Sequence, residues 1–128
     1  MSGSPRSRDW KNLRARFTPL PSGVCLIELK GELDQAVFYE LCEFTDTNLT
    51  DHETAVIIDM SELEFMDSSG VKFINKLVRI FGYGNVAVYK MNEDINRILM
   101  ILAMEKKITH LKRPDDLRRW RGEAKYAV

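Results

Sequence analysis

The sequence is poor in the residues that small enzymes and secreted modules rely on. It has two cysteines, Cys25 in a predicted strand and Cys42 in a predicted helix. With no second pair there is no disulfide framework, and both read as small buried hydrophobes in a reduced, cytosolic protein. There are two histidines, His52 and His110, in unrelated segments. Neither has a second ligand at metal spacing, so both read as surface residues and no metal or cofactor is expected. No Gly-x-Ser-x-Gly elbow and no Walker loop occurs. Lys plus Arg, 19, balances Asp plus Glu, 19, so no field of one sign points to nucleic acid or a membrane surface. The longest apolar run, Ile98 to Met104, is far too short to span a bilayer. The N-terminus lacks the apolar core of a signal peptide. Internal repeats and low-complexity segments are absent as well.

What is present is organised around Glu64-Phe65-Met66-Asp67-Ser68-Ser69-Gly70-Val71. Before it, Ala55-Val56-Ile57-Ile58-Asp59 reads as a strand buried on both faces. After it, Val71, Ile74, Leu77, Val78 and Phe81 recur at helical spacing, which predicts a helix beginning near Ser69. Asp67, Ser68 and Ser69 are all capping residues, and Gly70 permits close backbone approach. This places two hydroxyls at the positive end of a helix, where an added phosphate is electrostatically favoured.

Taken in order, residues 1–12 are polar and aperiodic and are expected to be a disordered tail, with Trp10 its only docking candidate. Leu13–Thr18 and Val24–Lys30 flank the turn residues Pro19 to Gly23 and predict an antiparallel hairpin. Gly31-Glu32-Leu33-Asp34 leads into a helix with Val37, Leu41 and Phe44 on one face and Asp34 as its N-cap. A polar connection, Thr45 to Thr54, precedes the central strand at 55–59. The helix after Ser69 ends at Gly82 and Gly84, glycines suited to a left-handed turn. Asn85–Lys90 reads as a strand, Glu93–Met104 as a helix, Lys107–Leu111 as a short edge strand and Pro114–Trp120 as a final helix. Strands alternating with helices over short connections predict parallel β-α-β units in one domain, 13–121, followed by a tail at 122–128. Within Glu93–Met104, Ile95, Ile98, Leu99 and Leu102 should join the core, while Met100 and Met104 fall on nearly the opposite face near Arg97. Burial by the C-terminal segment, through Trp120, accounts for the two methionines as well as any other reading; the sharper one makes Arg97, Met100 and Met104 a candidate second interface, for self-association or another partner.

Asp34, Asp59 and Asp67 each lie at or beyond the C-terminal end of a predicted strand. A carboxylate cluster there would suit a divalent cation, a small hydrolase or a nucleotide-binding protein. Caps and solvated loop ends account for the same residues with fewer assumptions, and that reading is adopted.

Gly31-Glu32-Leu33-Asp34, Val56-Ile57-Ile58-Asp59-Met60-Ser61, Phe65-Met66-Asp67-Ser68-Ser69-Gly70, and Asn92 with Arg97 together resemble the STAS family. These are the domains shared by sulfate transporters and bacterial anti-sigma factor antagonists. The similarity runs from about Leu13 to Trp120. It implies an α/β fold, a mixed and largely parallel sheet with an N-terminal hairpin and about four helices packed mainly on one face. It also implies a bacterial signalling protein that is not a catalyst. In stand-alone antagonists the first Ser of this block is phosphorylated by a histidine-kinase-like serine kinase that is also the anti-sigma factor. Carried over, Ser68 is the phosphoacceptor, with Asp67, Ser69, Gly70 and Asp34 around it. The unphosphorylated form binds the kinase and releases a sigma factor, and a metal-dependent serine phosphatase resets the switch. An alternative within the family is a subunit docked on an ABC transporter ATPase.

The family usually has a small residue two positions after Gly70, where this chain has Lys72. Lys72, Lys76 and Arg79 share a helical face away from the apolar stripe, and with Met66 they are the expected partner contacts. Lys72 lies about one turn from Ser68, within reach of a phosphate there.

Overall fold

The computed structural model describes residues 4–122. Residues 1–3 of the expected N-terminal tail and 123–128 of the expected C-terminal one lie outside the described residues. The remainder of the N-terminal stretch is not a tail. Arg6–Asp9 forms strand β1, antiparallel to β2 (Leu13–Pro19), with Arg6 opposite Phe17 and Asp9 opposite Arg14. All four β1 side chains are exposed, so no apolar alternation marks the strand in the sequence. Backbone pairing holds it, with an Asp9–Arg14 ion pair at 2.8 Å and Trp10 edge-on to Phe44 at 5.9 Å.

β2 buries Leu13, Ala15 and Phe17 and exposes Arg14 and Arg16, the period of two expected of a half-buried strand. It pairs antiparallel with β3 (Val24–Leu33), completing the expected hairpin. Gly31 carries a left-handed φ of 107° where the register of β3 against β4 shifts. A Cβ there would sit 2.2 Å from the Asn12 carbonyl oxygen, which accepts from Glu32 N at 2.7 Å. Helix α1 (Gln35–Asn48) runs a turn beyond Phe44, into the segment expected to be a polar connection. Its Thr45 and Asn48 side chains donate to the carbonyls of Leu41 and Phe44.

β4 (Ala55–Met66) is much longer than the strand expected at 55–59. Register shifts against β3 put Met60, Leu63 and Met66 inward at spacing three, which hides the strand from a period-two reading. α2 (Ser68–Phe81), β5 (Val86–Tyr89), α3 (Glu93–Ile101), β6 (Thr109–Leu111) and α4 (Pro114–Arg119) follow. The sheet order is β1-β2-β3-β4-β5-β6, antiparallel through β3 and parallel from β3 to β6.

α3 ends earlier than expected. Ala103 turns left-handed at φ 56° and a 3₁₀ turn, Met104–Lys106, succeeds it. The break inverts two expectations: Leu102 is half exposed, whereas Met104 is buried in the core. The main core lies between the sheet and α1, α2 and α3, with Phe17, Ile27, Leu41, Ile58, Phe73 and Leu77 among its members. On the other face, Val24, Ala55, Ile57, Ala87, Tyr89 and Leu111 are covered by Leu117 of α4 and by Trp120. Among the described residues, three α-helices on one face and one on the other leave the ends of β3 and β4 together with the starts of α1 and α2.

Candidate functional site

The site is a meeting of two helix N-termini. Asp34 follows β3 and caps α1, its Oδ1 accepting from Ala36 N at 3.0 Å. Asp67 follows β4 and caps α2, its Oδ1 accepting from Ser69 N at 2.8 Å. The other Asp67 oxygen accepts from Gln35 N at 3.3 Å, and Asp67 N donates to Leu33 O at 3.2 Å. One carboxylate thus answers free N–H groups at the start of both helices.

The two serines differ completely. Ser69 is 1% exposed, and its hydroxyl donates to Gln35 Oε1 at 2.8 Å. Ser68, the first residue of α2, is exposed and its side chain makes no hydrogen bond among the described residues. Phe65, three residues earlier near the end of β4, is 48% exposed and leaves an apolar ring at the surface. Gly70 is held by space rather than by backbone angle: a Cβ there would sit 2.0 Å from Met66 Cγ. Asn92 ties the site to α3, capping it through Ile95 N at 2.9 Å and donating to Leu63 O at 3.3 Å. The outcome is a hydrogen-bonded platform with one accessible hydroxyl at a helix N-terminus, where added negative charge is tolerated.

The STAS domain family matches residues 18–116 of this sequence. The chain belongs to that family. No curated protein sequence matches it. Among solved structures, it is similar to an anti-sigma factor antagonist from Mycobacterium paratuberculosis at 20% identity, covering 92% of this chain and 93% of that one, with a TM-score of 0.68. It is also similar to the anti-sigma factor antagonist SpoIIAA in its unphosphorylated form, at 19% identity, 84% and 96% coverage and a TM-score of 0.67. The Bacillus SpoIIAA in its phosphorylated form gives 17% identity, 82% and 97% coverage and 0.62. At these identities the likeness carries the fold.

Within this STAS domain the expected residues divide. Asp34, Asp67, Ser68, Ser69 and Gly70 lie together at the starts of α1 and α2. Asp59 does not join them. It lies back along β4, about 25 Å of strand from Asp67, where its carboxylate accepts from Ser61 N at 2.9 Å. Its sheet neighbour Glu28 is raised above its ordinary pKa, first by burial and then by Asp59. Among the described residues no three His, Cys, Asp or Glu side chains group to hold a metal ion. Met66 is not a surface contact: it is buried under Gly70, and Phe65 faces outward instead. Lys72 and Arg79 are exposed, whereas Lys76 pairs with Asp46 at 2.9 Å. Met104 leaves the expected second interface for the core, and Met100 remains outside with Ile101 and Leu102. Arg97 pairs with Asp94 at 3.3 Å. Gln35 escaped the sequence reading, because a side-chain bond spanning 34 positions leaves no local pattern.

No helix among the described residues is long and apolar enough to cross a membrane.

Proposed function

We propose that this STAS domain is a phosphorylation-regulated partner switch of the anti-sigma factor antagonist type. Unphosphorylated, it binds a histidine-kinase-like serine kinase that doubles as an anti-sigma factor, and so releases a sigma factor or another output. The kinase phosphorylates Ser68, the complex dissociates, and a metal-dependent serine phosphatase returns the domain to its binding form. The domain performs no chemistry of its own in this cycle, and the setting is the cytoplasm.

One observation carries the reading: of the two adjacent hydroxyls, Ser68 is exposed and Ser69 is buried and bonded to Gln35. Phosphorylation would add roughly −1.5 to −2 charge at the start of α2. The helix end accommodates that charge, so the fold persists. A partner approaching Asp34, Asp67 and the exposed Phe65 meets a stronger negative field, and affinity falls. Spent on affinity rather than on refolding, the charge makes a reversible signal.

The test uses native cytosol and the full chain as wild type, Ser68→Ala and Ser68→Asp. Ser68→Ala should retain a serine kinase constitutively, Ser68→Asp should lose it, and phosphopeptide mapping of wild type should place the phosphate on Ser68. Phosphate on Ser69 alone would overturn the assignment. Retention of a transporter ATPase by all three forms would replace it with the transporter-subunit reading.

A further inference from the structure

Beside the Ser68 end, α1 and α2 leave an open groove of about 380 Å³. Its α1 wall is Phe38, Tyr39 and Cys42, and its α2 wall includes Lys72, Lys76 and Arg79. The two walls differ in chemistry. Phe38 packs partly on the core and stands edge-on to Tyr39 at 5.2 Å, while Tyr39 itself is 73% exposed. Aromatic rings offered to solvent in this way are the commonest anchors of protein interfaces. The α2 wall is a stripe of cations on one helical face. Lys76 is neutralised by Asp46 at 2.9 Å. Among the described residues, Lys72 and Arg79 have no carboxylate within ion-pair distance. The groove therefore combines an aromatic side with two uncompensated positive charges, about 10 Å apart along the helix.

We propose that this groove docks an acidic amphipathic helix of the partner protein, and that a phosphate on Ser68 weakens the docking by engaging Lys72. The inference rests on the reading of Ser68 as the switch. An apolar side chain of the incoming helix covers Phe38 and Tyr39. Two of its carboxylates, about two turns apart, meet Lys72 and Arg79. Lys72 follows Ser68 by about one turn, so a phosphate on Ser68 lies within reach of its ammonium. The phosphate both takes that cation from the partner's carboxylate and repels it. Basic or neutral helices gain nothing from the stripe. A membrane surface would engage its charge but has no use for a groove between two helices.

Cys42 lies in the groove and Cys25 is fully buried, so a maleimide photocrosslinker attached to the folded protein marks the groove. Labelled Ser68→Ala protein is photolysed in native cytosol, and the attached peptides are sequenced by mass spectrometry. The expected adduct is a helix-forming, acid-rich segment. Its yield should fall about tenfold in Lys72→Glu with Arg79→Glu, and should fall with added salt. The milder Lys72→Gln with Arg79→Gln pair should fall less, and circular dichroism checks that both pairs are folded. Absence of an adduct, an adduct with a neutral or basic segment, or yields indifferent to both pairs would overturn the proposal. If Ser68→Ala captures a kinase that Ser68→Asp loses, yet Cys42 forms no adduct, the groove fails and the switch stands. Equal yields of the acidic adduct from Ser68→Ala and Ser68→Asp would remove the switch reading and the phosphate link together.

Discussion

Placing one negative charge at Ser68 and then at Ser69 should give opposite results. Ser68→Asp adds a carboxylate to an exposed first helical residue. The helix dipole favours it by roughly 0.3–1 kcal/mol, and the neighbouring Asp67 opposes it. The net change should be within about 0.5 kcal/mol of wild type. Ser69→Asp acts on a residue 1% exposed whose hydroxyl is bonded to Gln35 at 2.8 Å. Losing that bond costs about 0.5–1.5 kcal/mol, overpacking about 1–3, and the buried charge several more unless it stays protonated. The combined loss should be at least about 3 kcal/mol, a large share of the 5–15 kcal/mol that holds a typical domain together. Urea denaturation followed by circular dichroism measures both, with Ser69→Ala separating the lost hydroxyl from the added charge. The thermal midpoint should drop by about 10 °C or more for Ser69→Asp and barely move for Ser68→Asp. Equal stability of the two Asp variants would refute the division of labour between the serines, and with it the physical basis for a single phosphoacceptor.

Other consequences are open to measurement. Gly70→Ala should cost about 1–3 kcal/mol in urea titrations, because its Cβ would overlap Met66 near Cγ, not at the flexible tip; an unchanged midpoint would contradict that contact. Met104→Ala should destabilise by about 2–4 kcal/mol and Met100→Ala by under about 0.5, since only Met104 is in the core; the reverse order would restore the continuous-helix picture of this segment. Glu28 is raised above the ordinary glutamate pKa, mainly by burial, so the fold favours its neutral form. Its contribution to stability is full below the unfolded value of about 4.3 and is lost as pH rises through the higher folded value. Glu28→Gln should therefore flatten the stability–pH curve between the unfolded value and the higher folded one, and an unchanged curve would exclude Glu28 as its source.

The ordering of elements and the core of the site are legible in the sequence because they rest on local patterns. The apolar run at 55–58, the helical spacing after Ser69 and the caps Asp34 and Asp67 each state their structure within a few residues. The failures share a different cause. β1 is stabilised by backbone pairing with no buried side chain, so its four polar residues look like a tail. Bulges in the β3–β4 ladder exchange the roles of Phe65 and Met66. A left-handed Ala103 does the same for Leu102 and Met104, because an alanine gives no warning of a helix end. Asp59 falls not at a strand end but within β4, which continues for seven more residues, to Met66. The bond between Ser69 and Gln35, which distinguishes the two hydroxyls, belongs to tertiary packing and has no trace in either segment alone.

Strand β1 has a consequence for how the molecule behaves in a crowded solution. An open sheet ends in a row of unpaired amide groups, and such a row recruits strands from neighbouring molecules. Here the outermost strand reads Arg-Ser-Arg-Asp, four exposed residues of which three are charged. The opposite edge, β6, is only three residues long. Both borders are thus poor templates, one through charge and the other through brevity. Trimming the chain to Leu13 would uncover the backbone edge of the longer β2, a strand with apolar side chains at alternate positions. The trimmed protein should turn cloudy on concentration well before the full chain does, so strand β1 acts as a built-in solubility guard.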